Sequence, residues 1–187
     1  MSLGILVAGI GNIFLGDDAF GVEVVQRLAQ RELPPNVRIV DFGIRGFDLA
    51  YALMDDYDAV ILVDAAPRGE EPGTLYLIEP DLNAPDESGE ASLDAHAMNP
   101  MRVLGMAKAM GGGPRRILLV GCEPSRADGE DEERMGLSDI VEKSVDEAVG
   151  MIEELITKIQ GGQYERVLES GIDHRGRSAG DSSAARP

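Results

Sequence analysis

Two adjacent carboxylates follow a glycine turn near the start of the chain. Residues 9–12 are Gly-Ile-Gly-Asn, and after three apolar residues the chain continues with Gly-Asp-Asp at residues 16–18. The apolar run of residues 3–8 before the turn is typical of a buried strand in a parallel sheet, and the residues after it have near-helical apolar spacing. Turns that follow such strands line the ligand crevice of an open α/β sheet. We therefore expect Asp17 and Asp18 to lie at a crevice.

A dinucleotide site is one alternative for this turn. Gly9 and Gly11 begin a GxGxxG-like pattern, and Asp41 ends the next predicted strand where a ribose-binding acid would lie. The third glycine of the pattern is Phe14, however, and a pyrophosphate would meet two carboxylates at the start of the helix. A second alternative is helix capping by the two acids, which we expect more of Asp17 than of its neighbour Asp18.

A third carboxylate and a histidine complete a candidate metal site. Asp64 ends the buried run before Ala65, so it should emerge at the same sheet edge as Asp18. His96 lies where a long polar loop meets the next predicted helix. Two carboxylates and an imidazole suit a borderline divalent metal such as nickel, zinc, manganese or iron, with coordination positions left open. The alternatives are that Asp64 caps a turn and that His96 is a helix N-cap or a partly buried polar group.

The other residues that could do chemistry fit no familiar hydrolase. Cys122 follows a predicted strand, where a free cysteine is usually a small buried hydrophobe. The sequence contains neither a Gly-x-Ser-x-Gly elbow nor a His-Glu-x-x-His motif. Serine-nucleophile and zinc-helix mechanisms are therefore not indicated.

Strand-like and helix-like patterns alternate along the chain. Strands are predicted at Leu3 to Ala8, Val37 to Phe42, Ala59 to Asp64, Thr74 to Ile78 and Arg115 to Gly121. Helices are predicted after the first turn, at Phe47 to Met54, from Pro100 to the glycines at 111–113, and at Ser138 to Ile159. This alternation predicts an α/β fold, a three-layer sandwich with a twisted, mostly parallel five-stranded sheet in which residues 74–78 form an edge or antiparallel strand.

The remaining segments carry little apolar periodicity. Pro80 to Ala95 is polar and acidic and predicts a mobile loop, and Arg126 to Arg134 predicts a solvated acidic loop. We divide the chain into one domain, residues 1–160, and a disordered C-terminal tail, residues 161–187, in which His174 is expected to be inert.

Composition excludes several classes of partner. A net charge of -17 argues against nucleic acid, because that affinity depends on Lys and Arg neutralising phosphates. No apolar run approaches the roughly 20 residues that span a bilayer, and the amino terminus lacks the pattern of a signal peptide. The single cysteine excludes an internal disulfide. We expect a soluble cytoplasmic protein without a membrane partner, of unknown oligomeric state.

Five separated segments, with His96, resemble the hydrogenase maturation endopeptidases over about residues 3 to 155. The residues that carry the resemblance are Gly9-Ile10-Gly11-Asn12, Gly16-Asp17-Asp18 with Gly21-Val22, Asp41-Phe42-Gly43 with Gly46, Leu62-Val63-Asp64-Ala65, His96, and Val120-Gly121-Cys122-Glu123-Pro124. The resemblance implies an α/β endopeptidase that removes the C-terminal extension of a nickel-iron hydrogenase large-subunit precursor after nickel insertion.

The family's metal-contacting and catalytic positions fall on Asp18, Asp64 and His96. The resemblance implies that they meet nickel already held by the substrate's cysteines, so that the metal is bound transiently and reports a loaded precursor. Asp17 is a second choice for a general base. A nickel-binding carrier or scaffold without peptidase activity is the alternative function.

The chain departs from the family pattern beside two of these segments. Asp18 stands where Glu is frequent, and Ala19 stands where Gly is common. Ile44 replaces a frequent Thr, and Arg45 is charged where small residues are usual. The metal set is retained, but the class of hydrogenase that serves as substrate, the length of the released peptide and the detailed cleavage mechanism stay open.

Overall fold

The computed structural model describes residues 4–80, 100–125 and 135–162, which form five strands, four α-helices and one short 3-10 helix. The strands are β1 (Ile5–Ile10), β2 (Val37–Gly43), β3 (Ala59–Ala65), β4 (Leu75–Ile78) and β5 (Ile117–Cys122). The helices are α1 (Phe20–Leu28), α2 (Gly46–Ala52), α3 (Pro100–Ala109) and α4 (Asp139–Gln160), and the 3-10 helix is Gly16–Ala19. The predicted elements agree with these bounds to within about two residues.

The strands form one sheet in the order β2-β1-β3-β5-β4. The pairs β1–β2, β1–β3 and β3–β5 are parallel, whereas β4 runs antiparallel to β5 at the sheet edge. The α/β class, the five strands and the expected edge strand are confirmed, and the sheet is mixed because of that last pair. The next two strands along the chain, β2 and β3, lie on opposite sides of β1. The topological switch point, where α/β proteins bind ligands, therefore lies between β1 and β3.

Two apolar clusters cover the sheet. One joins Ile5 and Val7 of β1 to residues of α1 and α4, and the other joins Leu6 and Ala8 to residues of α2 and α3. Since successive side chains of a strand point to opposite faces, the two clusters lie on opposite faces of the sheet. Residues of β3 alternate in the same way, with Leu62 on the α2 and α3 face.

Glycine allows α1 to lie directly on the carboxyl ends of β1 and β3. A Cβ atom at Gly21 would lie 2.0 Å from the carbonyl oxygen of Val63 and 2.3 Å from that of Ile10. No larger residue fits such an approach without moving the helix. The contact fixes the 3-10 helix, which immediately precedes α1, above the switch point.

Several predictions concern residues outside the described ranges. The predicted loops at 80–95 and 126–134 lie there almost entirely, as do residues 163–187 of the predicted tail. Residues 161–162 form a turn after α4. Among the described residues, no helix has both the length and the apolar character that a membrane crossing requires.

Candidate active site

The 3-10 helix holds Asp18 against the turn that follows β1. Gly11 has a φ of 136°, in the region that favours glycine, and a Cβ there would lie 1.8 Å from the carbonyl oxygen of Asp18. The backbone N–H of Asn12 donates to Oδ2 of Asp18 at 2.6 Å. Burial raises the pKa of Asp18, and this hydrogen bond offsets part of that effect. The glycine turn therefore creates a partly dehydrated carboxylate.

Asp64 lies near the end of β3, next to the turn that holds Asp18. Only 8% of its surface is exposed. Burial is the main cause that raises its pKa well above the ordinary value, the charge of Asp18 raises it further, and the N–H of Ala65 opposes both. The effect of Asp18 requires that the two carboxylates lie close together. The structure therefore brings Asp18 and Asp64 to one place at the switch point.

His96 lies outside the described residues, so the third member of the expected set is not placed. Within the described ranges, no group of three or more His, Cys, Asp and Glu side chains could hold a metal ion. The histidine precedes α3, which packs on the same face as Leu62 and therefore on the face of Asp64. Participation of His96 stays a prediction.

The carboxylate of Asp17 forms hydrogen bonds with residues at and before the start of α4. Its Oδ2 accepts hydrogen bonds from the N–H of Ser125 at 2.8 Å and the hydroxyl of Ser138 at 2.9 Å. Its Oδ1 accepts from the N–H of Ser138 at 2.6 Å. Both carboxylate oxygens are thus engaged at the start of α4, which favours a role in positioning over that of a general base.

Cys122 is fully buried, and burial is the main cause that raises its pKa to about 12. The expectation of a small buried hydrophobe is confirmed. Its side chain belongs to the α1 and α4 cluster, on the face opposite to that of Asp64. A thiol so placed has almost no thiolate at neutral pH and does not serve as the nucleophile.

Sequence reasoning assigned no role to Glu123, yet it is the most buried carboxylate of the described residues, with 2% exposed. It accepts hydrogen bonds from the Tyr76 hydroxyl at 2.6 Å and from the N–H groups of Arg68 and Gly69 at 2.7 and 3.1 Å. The sequence did contain a signal for this residue. Glu123 directly follows the buried run of β5, as Asp64 ends the buried run of β3, so it too could be expected at the carboxyl edge of the sheet.

Exposed apolar side chains surround the carboxyl edge near the site. They are Ile13, Phe14 and Leu15 after β1, Ile44 between β2 and α2, and Phe47 and Tyr51 within α2, each between 44% and 71% exposed. Arg45 lies among them, and its guanidinium donates to the carbonyl oxygens of Phe42 and Asp41. Ile44 and Arg45, two of the positions at which the chain departs from the family pattern, thus lie on this exposed apolar surface.

The arrangement suits a divalent cation. Two nearby carboxylates in a partly dehydrated site supply groups that can act as oxygen ligands, and a cation would reduce the repulsion between them. The described residues supply no third ligand for such a cation.

Fold and site together define an α/β protein with a two-carboxylate centre at the switch point of a mixed sheet. The chain belongs to the hydrogenase maturation protease family. A family model with that description, HycI, matches residues 22–155, which confirms the resemblance seen in the sequence.

Individual relatives agree. The chain is 32% identical over 182 residues to the hydrogenase expression/formation protein HupD of Bradyrhizobium diazoefficiens, covering 91% of each chain. It is 39% identical over 121 residues to HupD of Rhizobium leguminosarum, a match that covers 64% of this chain but only 59% of that protein. The hydrogenase maturating endopeptidase HybD of Escherichia coli superposes with a TM-score of 0.65 at 31% identity, covering 86% of this chain and 94% of HybD.

Proposed function

We propose that the protein is an endopeptidase that removes the C-terminal extension of a nickel-iron hydrogenase large-subunit precursor after nickel insertion. The observation that carries this proposal is the convergence of Asp18 and Asp64 at the switch point of a fold shared with the HybD endopeptidase. Family membership supplies the reaction class, and the carboxylate pair supplies a place for it.

Nickel belongs to the substrate in this proposal. The precursor presents it, and Asp18, Asp64 and His96 complete its coordination from the enzyme side. The mutual repulsion of the two carboxylates supports this role, because a cation relieves it. A set this sparse binds free metal weakly, so productive contact depends on a precursor that already holds nickel.

Cleavage is the addition of water across one peptide bond. The hydroxyl goes to the carbonyl carbon, the bond to nitrogen breaks, and the leaving amine takes a proton. Nickel in the substrate supplies Lewis-acid polarisation of the scissile carbonyl or of the attacking water. A carboxylate at the site takes the proton from the attacking water and returns it to the amine.

The exposed apolar residues beside the site support contact with a polypeptide substrate. Phe14 is 60% exposed on the loop after β1, and Phe47 is 71% exposed in the first turn of α2, which follows β2. Clusters of exposed apolar side chains mark interaction surfaces. Ile44 and Arg45 lie there too, so this surface is where we place discrimination between hydrogenases. A single buried thiol agrees with action in the reducing cytoplasm.

The test compares nickel-loaded and nickel-free large-subunit precursor by intact mass after incubation with the protein. We expect one cut near the carboxyl terminus of the loaded precursor and none in the nickel-free form. The Asp64→Asn and His96→Ala variants should leave both full length. Equal cleavage of the two precursors would contradict recognition through the metal. Binding of the loaded precursor without any change in mass would favour the carrier function instead.

A further inference from the structure

A second charged cluster lies at the carboxyl edge, built on the buried Glu123. Burial is the largest influence on this carboxyl and raises its pKa, but hydrogen bonds from Tyr76 and from the N–H groups of Arg68, Gly69 and Glu70 outweigh it, so the pKa is lowered. Glu123 is therefore an ionised anchor. It fixes the turn at residues 68–70, which follows β3 and hence Asp64.

The anchored turn places the guanidinium of Arg68 over the ring of Tyr76, 5.4 Å from the ring centroid. Tyr76 is itself held by its hydroxyl, which donates to Glu123. Two contacts therefore position Arg68. Its backbone N–H donates to Glu123, and its guanidinium packs on the ring of Tyr76.

Arg68 forms no ion pair with any residue that the structure describes. By contrast, ion pairs with carboxylates are formed by Arg27, Arg31, Arg38, Arg45 and Arg115. The nearby carboxylate of Glu123 is engaged through both oxygens by other donors. The guanidinium of Arg68 is thus held in place without a carboxylate partner in the described part of the chain, although the chain has a net charge of -17.

Register places this cluster close to the acid pair. Gly121 of β5 is the partner of Asp64 on one side and of Tyr76 on the other, so these three residues form one row across the sheet. Side chains in such a row share a face. Neighbouring strands lie about 4.8 Å apart, which puts the backbones of Asp64 and Tyr76 on the order of 10 Å apart. An extended peptide covers that distance in about three residues, at roughly 3.3 Å each.

We propose that Arg68 is a specificity-determining residue that binds an acidic side chain of the substrate, about three residues from the bond aligned at Asp64. A planar guanidinium held in place favours a carboxylate through paired hydrogen bonds. The proposal rests on the proposed function, because it takes the substrate to be a peptide segment that passes the acid pair.

The test uses Arg68→Gln with Arg115→Gln as the matched control. Arg115 is also an exposed arginine next to a strand, with 86% of its side chain exposed, but it precedes β5 and so lies at the opposite end of the sheet. We expect Arg68→Gln to raise KM for the loaded precursor about tenfold, as loss of one charge-assisted pair predicts, with kcat little changed. The difference should shrink with added salt. Arg115→Gln should behave as the parent protein.

Substrate variants identify the partner of Arg68. Each Asp and Glu within five residues of the cut is replaced by Gln in turn, and one of these changes should raise KM for the parent protein but not for Arg68→Gln. Lys at that same position should restore cleavage by Arg68→Glu. An unchanged KM in Arg68→Gln overturns the proposal. So does a result in which the KM effect of every substrate change is the same in the parent protein and in Arg68→Gln. Efficient cleavage of a precursor that has no acid within five residues of the cut also overturns it.

Failure of the proposed function is a separate outcome. If the parent protein cleaves nothing, the peptidase assignment fails, and Arg68 is judged from a binding titration of the same precursor. A Kd about tenfold weaker for Arg68→Gln than for Arg115→Gln would still support acid recognition. Equal Kd values would overturn it.

Discussion

Asp18 of the 3-10 helix lies near Asp64 of β3 at the carboxyl end of the sheet, close enough for its charge to act on the Asp64 carboxyl. The charge of Asp18 adds to the burial that already raises the pKa of Asp64. In the metal-free protein the charges of this pair lower the free energy of unfolding, and the effect can be measured.

Asp64→Asn should stabilise the metal-free protein at neutral pH. A carboxyl whose pKa is raised by folding contributes its stability below the unfolded value, near 3.8, and loses it as pH rises through the folded pKa. The amide has no charge to bury. The gain should reach about 1 kcal/mol or more at neutral pH and disappear on acidification toward pH 4.

Thermal unfolding between pH 4 and pH 8 measures this effect, with Asp56→Asn as the control for net charge, because Asp56 is exposed. The control should follow the parent protein at each pH. Our electrostatic account of the pair fails if Asp64→Asn has a lower Tm than the parent throughout.

Weak binding of nickel, zinc or cadmium to the free protein should depend on the acid pair. Each of Asp18→Ala, Asp64→Ala and His96→Ala is expected to weaken binding, and affinity should rise with pH as metal competes with protons for Asp64. Titration calorimetry gives the comparison. Asp17→Asn is the matched control, since the hydrogen bonds of Asp17 go to Ser125 and Ser138. If Asp18→Ala, Asp64→Ala and His96→Ala all bind as the parent does, no shared site exists.

The convergence of Asp18 and Asp64 could be predicted from sequence because it follows from local patterns. An apolar run that ends in a carboxylate predicts where that carboxylate emerges, and parallel strands bring their carboxyl ends to one edge. The glycines at 9 and 11 predict the turn between them. Such signals are contained within about ten residues, so they need no knowledge of the rest of the fold.

The interactions of Asp17 and Glu123 could not be predicted in this way. The partners of Asp17 are 108 and 121 residues away in the chain, and Tyr76 is 47 residues from Glu123. These contacts depend on where α4 begins and on the order of β5 and β4 in the sheet. The residues near Asp17 and Glu123 in the sequence predict neither the start of α4 nor the order of the strands.

Loss of the Asp17 carboxylate should loosen the start of α4. Asp17→Ala leaves the N–H groups of Ser125 and Ser138 without their acceptor, which costs about 1–3 kcal/mol of unfolding free energy. Asp17→Asn keeps an acceptor oxygen and should cost less. Chemical denaturation gives both values. Equal stability of Asp17→Ala and the parent protein would show that water replaces the carboxylate without loss.

The close approach of α1 to the sheet should make Gly21 irreplaceable. In Gly21→Ala the new methyl would lie 2.0 Å from the carbonyl oxygen of Val63, which is backbone and cannot rotate away. The helix must therefore move, at a cost of at least about 2 kcal/mol. Because the 3-10 helix that carries Asp18 leads directly into α1, metal binding should weaken as well.

Gly150→Ala provides the matched control, since Gly150 is an exposed glycine within α4 and a Cβ there meets nothing within 4 Å. That substitution should stabilise the protein by about 0.5–1 kcal/mol, because alanine favours the helix and restricts the unfolded chain. Denaturant unfolding and metal titration of both variants separate the effects. A stable Gly21→Ala protein with parental metal affinity would show that contact between α1 and the sheet does not position Asp18. A destabilised Gly150→Ala protein would instead mean that glycine in these helices is needed for another reason.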